Sequence, residues 1–228
     1  MTTDAKLRTA ARHGRVRDAA EEPYRQSALH LWRVLRERPV PAVVVASATA
    51  GEGTTTCAIQ IARQFRDALG LRPLLVRFES RSAPLNGRTD QDLHGLQDLL
   101  ALSNGQNLAG CVQKGEFSIP TVVRSRTTSA PNMTARLQAA IARVLRERQP
   151  EYSVVIIDAP PLLESTDTMA ICEVVPQVVL VVAAGQTRYE VLERVTSDLQ
   201  EHKVSILGTI LNKQERIIPN WFYRAFFR

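Results

Sequence analysis

One short stretch limits what this chain can fold into more than any other. Val40 to Ser47 is a valine-rich run of the kind that forms a buried parallel strand. A glycine-containing turn follows, and then a helical pattern from about Thr55 to Leu69, with Ala58, Ile61, Ala62, Phe65 and Ala68 on one face. A parallel strand cannot be closed by a hairpin; it needs a crossover, usually a helix, before the next strand. The stretch therefore demands a strand–helix–strand unit and a sheet covered by helices.

The rest of the chain repeats that demand. Strands are expected at Pro73–Phe78, Thr121–Arg124, Tyr152–Asp158, Val178–Ala184 and Val204–Asn212. Helices are expected from Glu22 to before Pro39 and over Asp92–Leu102, Met133–Arg148 and Thr187–Gln200. The last is read as opened by a capping box of Thr187 and Glu190. Alternation of this kind calls for an α/β fold: a three-layer sandwich with a mostly parallel central sheet. We expect a basic, flexible tail over residues 1–20, one domain over 21–216 and an aromatic-basic tail over 217–228.

Charge narrows the function classes. Residues 1–20 carry +3, residues 203–228 carry +4, and the stretch between them carries −1, so the formal +6 belongs to the two ends. A nucleic-acid-binding face on the core would distribute charge the other way, and no nucleic-acid partner is expected. Cys57, Cys111 and Cys172 lie far apart, which argues against a disulfide framework or a zinc site. No apolar run is long enough to span a bilayer and the N-terminus has no secretory pattern; the expected location is cytoplasmic.

The turn between the first strand and its helix, Ser47-Ala-Thr-Ala-Gly-Glu-Gly-Thr-Thr-Thr56, is where chemistry is expected. Glycines let backbone N–H groups point inward, and a helix N-terminus adds partial positive charge, so such a turn can cradle a phosphate. The full motif reads G-x-x-x-x-G-K-[ST]. Here Ala48 replaces the first glycine and Thr54 replaces the lysine, while Thr55 keeps the hydroxyl that would hold Mg2+. Losing one charged hydrogen bond to phosphate weakens binding by roughly 10- to 150-fold. A plain strand–helix turn also fits the bare pattern. Val154-Val-Ile-Ile-Asp158 is an apolar strand ending in an acid, consistent with a Mg2+-orienting carboxylate or with a strand-end cap. Asp167, near the start of the next helix, is either a helix-terminus acid or a second carboxylate for the same site.

Together these residues resemble the cytoplasmic domain of bacterial tyrosine kinases, the deviant-Walker P-loop branch associated with capsule and exopolysaccharide export. Ser47–Thr56 resembles the S-x-x-x-G-E-G-K-[ST]-[ST] loop, Ile157-Asp-Ala-Pro-Pro161 with Asp167 resembles the D-x-P-P strand end and the acid after it, and Leu211-Asn212 resembles the late L-N. Glu22-Pro-Tyr-Arg25 resembles the E-x-Y-R helix that packs relatives into rings, and Ile218–Arg224 resembles the I-P-x-W-x-Y-R tail. The resemblance implies a P-loop NTPase-like fold that binds ATP or ADP with Mg2+. It assigns nucleotide contacts to Gly51, Glu52, Gly53, Thr54, Thr55, Thr56 and Asn212, with Asn212 at the base. It assigns metal contacts to Thr55 and Asp158, catalysis to Asp158 and Asp167, and oligomerisation to Glu22 and Arg25.

The departures from the pattern bear on activity. Thr54 stands for the lysine, Ala28 for the second arginine of the ring-forming helix, and Phe78-Glu79-Ser80 for the second acidic strand end; no tyrosine-rich tail follows. The implied function is a degenerate nucleotide-binding regulator or scaffold of exopolysaccharide synthesis and export. Its implied partner is a membrane polysaccharide co-polymerase, at the inner face of the cell membrane. The alternatives are an active ATP-dependent tyrosine kinase or slow ATPase of the same pathway, and, further off, a DNA-partition-type ATPase. Five of the 12 aromatic residues fall in the last eight positions, either covering a groove of their own domain or docking at a membrane surface or partner.

Overall fold

The computed structural model describes residues 21–78, 113–114, 119–124, 133–148 and 151–214. Both tails, the expected helix over 92–102, Cys111, Glu79 and Ser80 lie outside these residues. Helix α1 spans 21–35. It is followed by β1 (Ala42–Ser47), α2 (Thr54–Asp67), β2 (Pro73–Phe78), β3 (Gln113–Lys114), β4 (Pro120–Arg124), α3 (Met133–Arg148), β5 (Val154–Asp158), α4 (Thr166–Val174), β6 (Gln177–Ala183), α5 (Tyr189–Glu201) and β7 (Ser205–Asn212).

The seven strands among the described residues form one sheet in the order β3-β4-β2-β5-β1-β6-β7. Six run parallel, and the two-residue β3 pairs antiparallel with β4 at one edge. This edge strand was not legible in the sequence, because two residues carry no periodicity. β1, β5 and β6 are central, so their Val and Ile side chains are buried on both faces, as continuous apolar runs require.

The alternation of side chains divides the interior in two. Val43, Val45, Leu75, Ile156, Val179 and Val181 face α1 and α2, meeting Ala28, Leu31, Leu35, Ile61 and Phe65. Val44, Ala46, Val76, Phe78, Val155, Ile157 and Leu180 face the other way, onto Leu137, Ile141 and Val144 of α3, Ile171 of α4, and Val195 and Leu199 of α5. The result is an α/β three-layer sandwich. Parallel strands bring Ser47, Phe78, Asp158, Ala183 and Asn212 to one edge of the sheet, where ligands of open α/β sheets bind.

The expected capping box does not form. The N-cap of α5 is Arg188, and no side-chain hydrogen bond closes it. Thr187 instead accepts from the Ala183 backbone N–H at 3.2 Å and donates to Glu52 at 3.0 Å. A hydroxyl offered a buried carboxylate oxygen makes the stronger, charge-assisted bond.

Candidate functional site

The loop after β1 is shaped by two residues in the left-handed region, Gly51 with φ +81 and Gly53 with φ +92. Gly53 is also the N-cap of α2, and having no side chain it leaves the first N–H groups of that helix uncapped. A Cβ on Gly53 would stand 2.1 Å from Asn212 Nδ2, so a side chain here would have to displace that amide as well as adopt a left-handed backbone. The Asn212 amide comes this close because it donates to the Glu52 carbonyl at 2.8 Å.

Glu52 turns inward and is 3% exposed. Its Oε1 accepts from the Thr49 hydroxyl at 2.8 Å, the Thr49 N–H at 3.3 Å and the Thr187 hydroxyl at 3.0 Å. Its Oε2 has no hydrogen-bond partner among the described residues. The carboxylate thus braces the loop from within. A second brace comes from the chain after β5. There the Ala159, Leu162 and Leu163 N–H groups donate to Val45, Ser47 and Ala48 carbonyls at 3.0, 2.8 and 3.2 Å. Glu164 Oε1 accepts from the Ala50 N–H at 2.7 Å.

Asp158 ends β5 beside this loop, in register with Val45 of β1 and Arg77 of β2. It is 2% exposed. Burial raises its carboxyl to about 6, against the opposing pull of a hydrogen bond with Thr55 and of the Arg77 charge. Arg77 Nε lies 3.7 Å from Asp158 Oδ2, an ion pair longer than a hydrogen bond. Phe78, where the resemblance places an acid, turns into the opposite core. Among the described residues, the charge that β2 turns toward the site is therefore a cation, Arg77.

The structure brings Gly51, Glu52, Gly53, Thr54, Thr55, Thr56, Asp158 and Asn212 together around the N-terminus of α2. Thr54 and Thr55 are half-buried and Thr56 is exposed. Asp167 sits in the first turn of α4, its N–H bonded to the N-cap Ser165 hydroxyl at 3.3 Å. Glu22 and Arg25 pair with each other on the outer surface of α1. Ala28 is fully buried between α1 and α2. Tyr24 lies 3.8 Å from the Cys57 sulfur, and burial pushes its hydroxyl to about 12 and the Cys57 thiol upward, so both stay neutral near neutral pH. The motif reading missed Thr187, Glu164 and the placement of Arg77, whose contacts cross between elements far apart in sequence.

The loop fits a phosphate: left-handed glycines, an uncapped helix N-terminus and rigid bracing are what anion binding by backbone N–H groups needs. Thr55 and Asp158 have the hydroxyl and carboxylate oxygens a magnesium ion prefers, with the Arg77 guanidinium alongside. Among the described residues no three His, Cys, Asp or Glu side chains gather into a metal site.

No family model matches the chain. Among curated proteins it is similar to Tyrosine-protein kinase CpsD of Streptococcus pneumoniae, 27% identical over 188 residues and 81% of each chain. Among solved structures it is similar to the VpsO kinase domain, with a TM-score of 0.67 and 25% identity over 89% of this chain and 98% of that one. In both sequence and fold the chain is similar to the bacterial tyrosine kinases, within a P-loop NTPase-like fold. The fold also matches cobyrinic acid a,c-diamide synthase from Mycobacterium smegmatis, solved with ADP and magnesium, at a TM-score of 0.59 and 20% identity over 75% of this chain and 73% of that one.

In this chain the usual loop lysine is Thr54, and Lys114 belongs to the outermost strand among the described residues, four strands from β1. Loop bracing is open to test. Thr187→Val removes one donor from a buried carboxylate that already has an unpartnered oxygen. It is expected to lower stability by about 1–2 kcal/mol, read by urea unfolding. An unchanged midpoint would show that the Thr187–Glu52 bond does not hold the loop.

Proposed function

We propose that this chain is a nucleotide-binding regulator of exopolysaccharide export that has given up fast phosphoryl transfer. It works with a membrane polysaccharide co-polymerase at the inner face of the membrane. The observation that carries this reading is the contrast within the phosphate loop: the left-handed glycines and uncapped α2 N-terminus are intact, while Thr54 occupies the position of the phosphate-binding lysine. The backbone cradle supports ground-state binding of a phosphate, whereas a missing point charge against the transferred phosphoryl group removes transition-state stabilisation, on the order of 10²–10³ in rate. The tyrosine-kinase relatives support the pathway. No helix among the described residues is long and apolar enough to cross a membrane.

The test is equilibrium binding of ATP and ADP to the wild type and to Thr54→Lys, with phosphotyrosine followed in parallel. The wild type is expected to bind both nucleotides, and Thr54→Lys to bind them about tenfold or more tightly, since a charged hydrogen bond to phosphate is restored. ATP-dependent phosphotyrosine in the wild type that disappears in Asp158→Asn would instead establish an active kinase. Unchanged polysaccharide output after clean deletion of the gene would remove the pathway assignment.

A further inference from the structure

Arg77 reaches the site from the strand next to Asp158. The two residues are direct partners across the parallel pair β2–β5, so their side chains leave the sheet on the same side. That side is the one covered by α1 and α2, because Leu75 and Ile156, two residues earlier on each strand, pack there. The Arg77 and Asp158 side chains are 19% and 3% exposed, and the guanidinium Nε is 3.7 Å from the carboxylate. Thr55, in the first turn of the phosphate-binding helix, lies near enough to the same carboxylate to oppose the effect of its burial. A guanidinium cannot lose its proton in a protein. A permanent positive charge is therefore built in beside Asp158, at the strand end next to the phosphate loop.

We propose that Arg77 is the resident cation of this nucleotide site, supplying beside Asp158 the positive charge that a nucleoside diphosphate or triphosphate otherwise draws from a divalent ion. This inference rests on the nucleotide-binding reading above. Thr54 leaves the loop without its own charge, and Arg77 returns one from the neighbouring strand. A guanidinium has five donors in a planar fork matched to phosphate oxygens, so it can stay paired with a carboxylate and still donate to phosphate. A divalent ion placed at the same carboxylate would face a fixed like charge a few ångströms away. The consequence is nucleotide binding that depends little on magnesium.

The experiment is equilibrium binding of ADP in excess magnesium and in excess EDTA, for the wild type, Arg77→Gln and Arg77→Lys. The wild-type affinities in the two buffers are expected to agree within about threefold. Arg77→Gln should lose about ten- to a hundredfold in EDTA and recover most of it in magnesium, the size expected for one lost charged contact. Arg77→Lys, which keeps the charge, should stay near the wild type in EDTA. Magnesium that tightens wild-type binding by about tenfold or more, or an Arg77→Gln variant that binds ADP normally in EDTA, would overturn the inference and leave the nucleotide reading standing. Absence of ADP binding in both buffers, with Thr54→Lys also silent, would overturn both. If Arg77→Gln fails to fold, the magnesium dependence of the wild type decides alone.

Discussion

Gly53→Ala is expected to cost about 2–4 kcal/mol of stability and to abolish nucleotide binding. Two effects add. A side chain at φ +92 forces the left-handed region on a residue that resists it, about 1–2 kcal/mol. The new methyl would also lie 2.1 Å from Asn212 Nδ2, which no side chain can accept. Asn212 can swing away only by giving up its 2.8 Å bond to the Glu52 carbonyl, a further loss of about 1 kcal/mol. Adding Asn212→Ala should remove the clash but not the backbone strain. The double variant is therefore expected to be less destabilised than the two single changes predict, by about 1 kcal/mol in a double-mutant cycle. Strict additivity would show that the amide does not press on the loop.

Asp158→Asn is expected to stabilise the ligand-free protein at pH 7.5, by about 2–3 kcal/mol, or roughly 5–10 °C in melting temperature. The carboxyl titrates near 6 in the fold against a reference of 3.8. Because the folded value is raised, the contribution of this group is favourable below pH 3.8, where both states are protonated, and is lost as pH rises through 6. Above that, a charge is held in a dry site, and the upward direction shows that desolvation outweighs Thr55 and Arg77 together. Asparagine removes that penalty, so its advantage should be present at pH 7.5 and absent near pH 4. Destabilisation at pH 7.5 would mean that the Arg77 pair dominates over burial. Nucleotide binding by the variant should weaken, separating function from stability at one side chain.

Much of the fold was legible in the sequence because its signals are local and strong. The Val40–Ser47 and Val178–Ala184 runs, the 3.6-residue spacing after Thr55 and the strand-end acid at 158 all mark elements near where the structure has them. The phosphate loop was legible for the same reason, as a glycine turn between a buried strand and a helix. What escaped depends on register. Alternation along β2 puts Leu75 and Arg77 on one face, but only the pairing of β2 with β5 sets that arginine opposite Asp158. Thr187 misled for a related reason: Thr187 and Glu190 fit a local capping pattern, while the bond that forms crosses 135 residues to Glu52. The second acidic strand end was sought at Phe78-Glu79-Ser80; of these only Phe78 is described, and it turns into the opposite core while Arg77 before it pairs with Asp158.

The bracing of the phosphate loop has a thermodynamic corollary. Glu52 is held from two directions, by Thr187 after β6 and by Asn212 at the end of β7, and β7 is the half-exposed strand at one edge of the sheet. An edge strand is where a sheet frays and where another chain can add on. Because the amide of its last residue is wedged against Gly53, opening that edge far enough to move Asn212 is expected to change the affinity of the loop for phosphate. Reciprocity then requires that phosphate in the loop change, by the same factor, how readily the edge opens or accepts a partner.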